Sequence, residues 1–194
     1  SYIPTHWHRA IEIIYMQEGS LDVTVESESF TIHKGDCILI NGNVLHSTKC
    51  TAPNTAILLQ IPLNFMKKYI PDFGQLLFLW DYQTEDPVKK TKLMMLKTTL
   101  EQLQIINDIR PDGYLLRFNS LIFELLFQLY HNFSVRVFHQ NINRRQKEMD
   151  RLDPVLNYIA EHYREPISLD EIADIACLQT GYFCRFFKKK MGVT

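Results

Sequence analysis

Apolar and polar residues alternate in short runs from Ile11 to Ile61, and every run ends in a turn-forming group. Ile11 to Met16 stops at Gly19; Leu21, Val23 and Val25 stop at Ser27-Glu28-Ser29; Phe30 and Ile32 stop at Lys34-Gly35-Asp36; Cys37 to Ile40 stops at Asn41-Gly42-Asn43; Ala56 to Ile61 closes the series. A period of two with such regular punctuation predicts a β-sandwich or small barrel, and strand-like sequence begins at the chain's first residues. After Pro62 the spacing becomes helical. A short helix is expected near Leu63 to Tyr69, and a longer one from about Asp86 to Asn107 with Leu93, Leu96, Leu100, Leu103 and Ile106 along one stripe. A third, roughly Tyr114 to Phe133, follows a break containing Pro111. Its main stripe is Leu115, Phe118, Ile122, Leu125, Leu126 and Leu129, with Leu121, Phe123 and Phe127 off it. That much apolar surface exceeds what one partner face buries, which leaves intramolecular core and a contact between two copies both open.

The last stretch reads as two helices and a tight turn. Ser168 with Glu171 three residues later is a capping box that starts a helix at Leu169. Leu169, Ile172, Ala173 and Ala176 form its apolar face, and the pattern breaks near Cys177-Leu178-Gln179. A second helix resumes near Thr180 with Phe183, Phe186 and Phe187 as its core side. Gly181, Cys184, Arg185, Lys188 and Lys189 fall mostly on the other side, and Met191-Gly192 supplies a stop.

The chain has 194 residues and a formal net charge of −1, so composition alone does not announce nucleic acid. Charge is local instead: Arg185, Lys188, Lys189 and Lys190 occur between Gly181 and Gly192 without an acid among them. Cations on a helix backed by aromatic core favour phosphate contact. Cys37, Cys50, Cys177 and Cys184 have neither the density of a disulfide scaffold nor the paired spacing of a zinc site, so reduced thiols in a cytoplasmic protein are expected. The most apolar run, Leu121 to Tyr130, is short and holds Glu124 and Gln128, so no membrane partner is expected. His139 to Asp150 is polar and without an apolar stripe, and it reads as a linker with a boundary near Arg145.

Three segments together carry a resemblance: Leu152 to Tyr163 with its Tyr158-Ile159-Ala160-Glu161-His162-Tyr163 ending, Ile167 to Ala173, and Tyr182-Phe183-Cys184-Arg185-Phe186-Phe187-Lys188-Lys189. They resemble the first helix-turn-helix of the AraC/XylS family of bacterial transcription regulators. The resemblance implies a double-stranded DNA partner, with Thr180, Gly181, Tyr182, Cys184 and Arg185 near the bases and Lys188 and Lys189 on phosphates. It also implies contact with RNA polymerase and a homodimer, because family members use helices at the middle position as a two-helix contact. Gln179 stands where the family commonly has a serine cap, so fraying is expected at the start of the second helix. The family continues with a linking helix and a second helix-turn-helix, which do not follow within this sequence, so a fragment is expected.

His6-x-His8, three residues, Glu12, six residues and Gly19 form one motif; Gly35-Asp36, four residues, Asn41 and then His46 form another. These resemble the two signature motifs of the cupin barrel, which is also the effector-binding domain of many AraC-type regulators. Asn41 stands where cupins usually have proline, and asparagine tolerates the left-handed turn geometry needed there. The expected fold is therefore α+β: a cupin-like β-barrel (double-stranded β-helix) over residues 1–62, helices over 63–140, a linker over 141–150 and an all-α helix-turn-helix segment over 151–194. On a strand His6 and His8 point the same way, and in metal-binding cupins the matching positions give three imidazoles and a carboxylate. His6, His8, Glu12 and His46 are thus candidate ligands of a divalent metal; equally, with Gln60, they are candidate polar lining for a small-molecule effector such as a sugar, or structural histidines. No cofactor is required by the regulator reading. His33 is expected in a turn, His131 and His139 near a helix end, and Trp7 and Trp80 in packing roles. The competing function is a metal-dependent cupin oxygenase or isomerase, which leaves the helix-turn-helix segment without a use.

Overall fold

A computed structural model of the chain describes residues 2–137, 151–152, 154–159 and 161–191. The chain divides into two compact units, Ser1–Val137 and Phe138–Thr194. The expected linker at 141–150, the boundary near Arg145, His139 and the Gly192 stop lie outside the described residues.

Seven strands of the first unit form two antiparallel sheets: β1 (Tyr2–His6), β2 (Ala10–Glu18), β3 (Ser20–Val25), β4 (Glu28–His33), β5 (Cys37–Ile40), β6 (His46–Lys49) and β7 (Thr55–Pro62). The four-stranded sheet has the order β1-β6-β3-β4 and the three-stranded sheet β5-β2-β7. Side chains of Ile14, Met16, Leu21, Val23, Ile32, Ile38 and Ile40 form one core cluster, contributed by both sheets. Gly19 takes φ +77° between β2 and β3, and a Cβ there would sit 2.7 Å from the Pro53 carbonyl oxygen. The tight β2–β3 connection therefore needs glycine. His33 is the last residue of β4 rather than a turn residue. Asn41 does not supply the left-handed turn position; Asn43 does, at φ 63°. Asn41 instead uses its carboxamide as a clip, donating to the Phe78 carbonyl at 2.8 Å and accepting from the Phe78 N–H at 3.2 Å.

The other face of the three-stranded sheet is covered by helices. These are α1 (Leu63–Tyr69), α2 (Pro87–Ile109) and α3 (Tyr114–Phe133), joined by a 3-10 turn at Phe73–Gln75 and a small sheet of β8 (Leu76–Phe78) with β9 (Ser134–Arg136). Asp86 caps α2, its carboxylate accepting from Val88 and Lys89 N–H groups, and Pro87 occupies the first helical position where its missing N–H costs nothing. Leu93, Leu96, Leu100 and Leu103 are buried in the expected stripe, against Ile11, Ile13, Ile61, Leu125 and Leu129. In α3 the expected stripe needs correction: Leu121 is buried and Leu115 is 57% exposed. Leu115 lies in the first turn, beyond the reach of the sheet, whereas Leu121 faces α2. Trp80 donates to the Cys37 carbonyl at 2.8 Å and packs edge-on against Phe133 at 5.0 Å. No helix among the described residues is long and apolar enough to cross a membrane.

The second unit has helical backbone at 151–152, 154–159 and 161–162 (α4), then α5 (Leu169–Ile175) and α6 (Thr180–Met191). Leu152, Val155, Ala173, Ala176, Phe183 and Phe186 form its core. Ser168 and Glu171 form the reciprocal capping box, at 2.9 Å and 3.2 Å. These bonds hold the Glu171 carboxyl below its ordinary range. The turn after α5 is a Schellman motif: Leu178 N–H donates to the Ala173 carbonyl and Cys177 N–H to the Asp174 carbonyl, both at 2.9 Å. Its left-handed position, at φ 53°, is held by exposed Cys177, not glycine. A side chain there costs about 1–2 kcal/mol, partly offset by the greater unfolded-state freedom of glycine. Cys177→Gly is therefore expected to stabilise the second unit by about 0.5–1 kcal/mol, and β-branched Cys177→Val to destabilise it, as read from chemical unfolding followed by circular dichroism.

Candidate functional site

Three imidazoles and one carboxylate converge inside the first unit. Cross-strand pairing places His6 of β1 opposite His46 of β6, and Glu12 of β2 opposite Gln60 of β7. His8 is not on a strand, contrary to expectation; it lies in the connection between β1 and β2, two residues before β2 begins. The ring centroids of His6 and His46 are 4.3 Å apart, those of His8 and His46 5.0 Å, and those of His6 and His8 5.7 Å. One ring nitrogen from each of the three lies within 4.8 Å of the others.

Backbone carbonyls fix how these rings are protonated. Nδ1 of His6 faces the Pro4 oxygen at 2.9 Å, Nδ1 of His8 the Ala10 oxygen at 3.1 Å, and Nδ1 of His46 the Val44 oxygen at 2.9 Å. A carbonyl oxygen only accepts, so each Nδ1 carries the hydrogen and each neutral ring keeps its Nε2 lone pair. A carbonyl on the far ring nitrogen is what orients histidines that ligate metals. Glu12, 3% exposed, closes the group. Its Oε2 lies 3.0 Å from His8 Nε2 and its Oε1 3.8 Å from His46 Nε2. Gln60 Nε2 donates to Glu12 Oε2 at 2.7 Å and lies 3.1 Å from His8 Nε2. His46 Nε2 is buried with no hydrogen-bond partner among the described residues. The donor set, nitrogen lone pairs and a carboxylate, fits a divalent first-row cation as well as a ligand rich in hydroxyl donors.

In the second unit, α6 presents two different sides. Phe183 and Phe186 are buried, while Gly181, Tyr182, Cys184, Arg185, Lys188 and Lys189 are exposed. Thr180 is half-buried and its hydroxyl donates to Asp170 of α5 at 2.6 Å. That bond ties the start of α6 to α5 and occupies the group expected to face DNA; Phe183 N–H also closes the first turn on the Gln179 carbonyl at 2.8 Å. Asp170 was not singled out from the sequence. Nothing in the spacing distinguishes an acid that clamps a neighbouring helix from one that complements the positive end of its own helix. The three carbonyls that set the histidine tautomers are likewise invisible in a string of side chains.

Residues 1–62 match the Cupin domain family. The whole chain aligns with curated proteins roughly one and a half times its length. An uncharacterized HTH-type transcriptional regulator of Bacillus subtilis, YdeC, is 26% identical over 212 residues, covering 100% of this chain and 67% of that protein. LumQ of Photobacterium leiognathi, named a probable transcriptional regulator, is 27% identical over 97% of this chain and 68% of its own length. YbfI, a second uncharacterized HTH-type regulator of Bacillus subtilis, is 22% identical over 98% of this chain and 67% of its own length. The cupin match covers all of His6, His8, Glu12, His46 and Gln60, and these alignments extend over the helix-turn-helix as well.

Burial holds the His46 pKa below its ordinary 6.5, against the opposing pull of the Val44 carbonyl and Glu12. A histidine depressed in the folded state binds its proton more readily when unfolded. Its stabilising contribution is complete above 6.5 and is lost as pH falls from there through the folded value. Urea unfolding of the full chain is expected to show stability falling below pH 6.5, and a shallower fall in His46→Gln. Equal pH dependence in both proteins would remove His46 from the account.

Proposed function

We propose that this chain is a DNA-binding transcription regulator of AraC/XylS type that acts in the cytoplasm, with a small-molecule effector held by the cupin domain. The observation that carries this reading is the outward basic side of α6, where Arg185, Lys188 and Lys189 are exposed on a helix anchored by Phe183 and Phe186. Similarity along nearly all of this chain to two proteins named as HTH-type transcriptional regulators and to one named a probable transcriptional regulator supports it. Arg185 is the main base reader, since its guanidinium matches the two acceptors of guanine, while Gly181 and Cys184 offer little hydrogen bonding. Tyr182 flanks the bases, Thr180 stays beside them with its hydroxyl held by Asp170, and Lys188 and Lys189 hold phosphates. DNA shape then supplies further discrimination. In a whole protein of this type RNA polymerase is a further partner.

The effector is a hydroxyl-rich molecule such as a sugar, bound through His6, His8, Glu12, His46 and Gln60. Lone pairs on the rings and carboxylate accept hydrogen bonds from its hydroxyls, and the Gln60 amide donates to one of its oxygens. A divalent cation held by His6, His8, His46 and Glu12 would serve the same end by anchoring an effector oxygen as a Lewis acid. The enzyme reading rests on that cluster alone and gives no role to α5 and α6.

The protein acts as a homodimer through α3. Leu116, Phe123 and Phe127 are 80%, 43% and 58% exposed, and with Ser120 they follow i, i+4, i+7, i+11 spacing on one helix side. Antiparallel pairing of two α3 helices about the middle of this stripe sets Leu116 against the other copy's Phe127 and Ser120 against its Phe123. Each position of the stripe thus meets its two-fold counterpart, the self-complementarity that such a contact requires. A dimer reads two half-sites.

Two measurements test these assignments. On a duplex selected from a random library, Arg185→Ala is expected to lose about 1–3 kcal/mol of discrimination against the preferred base. Lys188→Ala is expected to weaken all sequences alike and flatten the log–log salt slope by roughly one. Unchanged binding in both would sink the α6 assignment. In sedimentation equilibrium, Phe127→Glu is expected to raise the dimer dissociation constant about tenfold or more with the unfolding midpoint preserved, since the side chain is already exposed. A monomeric parent chain would end the α3 assignment.

A further inference from the structure

Between α2 and α3, away from the histidine cluster, lies a groove of about 370 Å³. Its walls carry two charges of opposite sign, Arg117 and Glu124, both on α3 and two helical turns apart, about 10.5 Å along the axis. Neither charge has an ion-pair partner among the described residues. Each is held by a neutral amide instead: Arg117 donates to Gln102 Oε1 at 3.1 Å, and Glu124 Oε1 accepts from Gln128 Nε2 at 2.9 Å. The charges are thus positioned without being neutralised, which is how a site for a charged ligand is preorganised.

The groove floor is polar where the fold has no need of polarity. Thr99 and Gln128 are 6% and 3% exposed and sit among Leu96, Leu100, Leu103, Leu121, Leu125 and Leu129. Gln128 Nε2 also donates to Thr99 Oγ1 at 3.0 Å, yet Gln128 Oε1 is left buried without a partner. Leucine at either position would extend the surrounding packing and remove the cost of desolvating an amide and a hydroxyl. The polar pair makes sense as the support that holds the Glu124 carboxylate at the groove.

We propose that this groove is a second small-molecule site, independent of the histidine cluster, for a ligand carrying a carboxylate at one end and an ammonium group at the other. The carboxylate pairs with the Arg117 guanidinium and the ammonium with Glu124. The body lies over Met95 and the Thr98 hydroxyl, which line the α2 side of the groove.

The probe is 6-aminohexanoate, titrated into the full chain by calorimetry, with hexanoate and hexylamine as single-charge controls. Millimolar or tighter binding is expected, with each control weaker by about tenfold or more. Arg117→Gln and Glu124→Gln keep neutral hydrogen-bonding groups and are each expected to cost about tenfold. Thr98→Trp, a change at an exposed position, fills the groove and is expected to abolish binding while the unfolding midpoint stays in place. His6→Gln, at a half-buried position that makes no hydrogen bond to Glu12, is expected to leave binding and the unfolding midpoint intact, which separates this site from the effector reading. Absence of heat at millimolar probe, equal affinity for the controls, indifference to the groove substitutions, or loss on His6→Gln with the unfolding midpoint preserved would each overturn the proposal.

Discussion

The fold of the first unit turns on one buried carboxylate. Glu12 lies on β2 between Ile11 and Ile13, residues with at most 1% exposure, and is itself 3% exposed. An ionised carboxylate so placed costs several kcal/mol unless it is paired. Its hydrogen-bond partners come from separate segments: Gln60 from β7 and, through one shared proton, His8 from the β1–β2 connection. Strand register follows. Slipping β7 by one residue would turn Gln60 away and leave Glu12 Oε2 without its amide donor, in addition to exchanging every apolar side chain between the two faces. Hydrophobic alternation alone would tolerate a two-residue slip, which keeps the faces; the Glu12–Gln60 contact does not.

The same cluster is short of hydrogen atoms. Three Nδ1–H groups are spent on backbone carbonyls, so the Nε2 atoms of His6 and His46 point inward as lone pairs, and His8 Nε2 and Glu12 Oε2, 3.0 Å apart, have one proton to share between them beside the N–H bonds of one amide. A ligand that brings further acceptors would be repelled. One that brings O–H donors, or a cation that accepts all four lone pairs at once, relieves the shortage. This chemical asymmetry, set by the backbone and not by side-chain identity, fixes which hydrogen-bonding groups would complement the cluster.

Much of this was legible in the residue string, and the gaps have physical causes. The runs from Ile11 to Ile61 and the α2 leucine stripe correspond to observed elements because β2 and α2 are packed along most of their length, where periodicity and burial coincide. α3 was harder to read. It is apolar on nearly every side, so periodicity could not say which leucines meet α2, and Leu121 and Leu115 exchanged places. The two-residue spacing of His6 and His8 suggests one strand with both rings on the same side; the bulge between Ile3 and His6 and the end of β1 move His8 into a connection that still aims it at Glu12. Asn41 and Cys177 show a further limit. Which residue in a turn takes the left-handed conformation depends on hydrogen bonds made by its neighbours, as Asn43 and the Schellman contacts of Cys177 illustrate.

Glu12 also stands one pleat away from the helices. Alternate residues of β2 face outward, where Tyr15 donates to Glu101 at 3.0 Å and Gln17 to Gln104 at 2.7 Å, both on α2; Lys97 of α2 reaches back to the Gly35 carbonyl. Burial, reinforced by the Glu101 contact, pushes the Tyr15 hydroxyl up to about 12, so it remains a donor across the physiological range. Each such bond contributes about 0.5–1.5 kcal/mol net, so a change that remade two of them would match the 1–3 kcal/mol over which binding sites are typically coupled. By reciprocity, if a ligand at the histidine cluster altered this seam, it and a partner on the helix side would change each other's affinity by one and the same factor. The strand that carries the buried carboxylate is therefore also where sheet and helices are joined by directional bonds, and a strand covered on both faces cannot shift on one side without repacking the other.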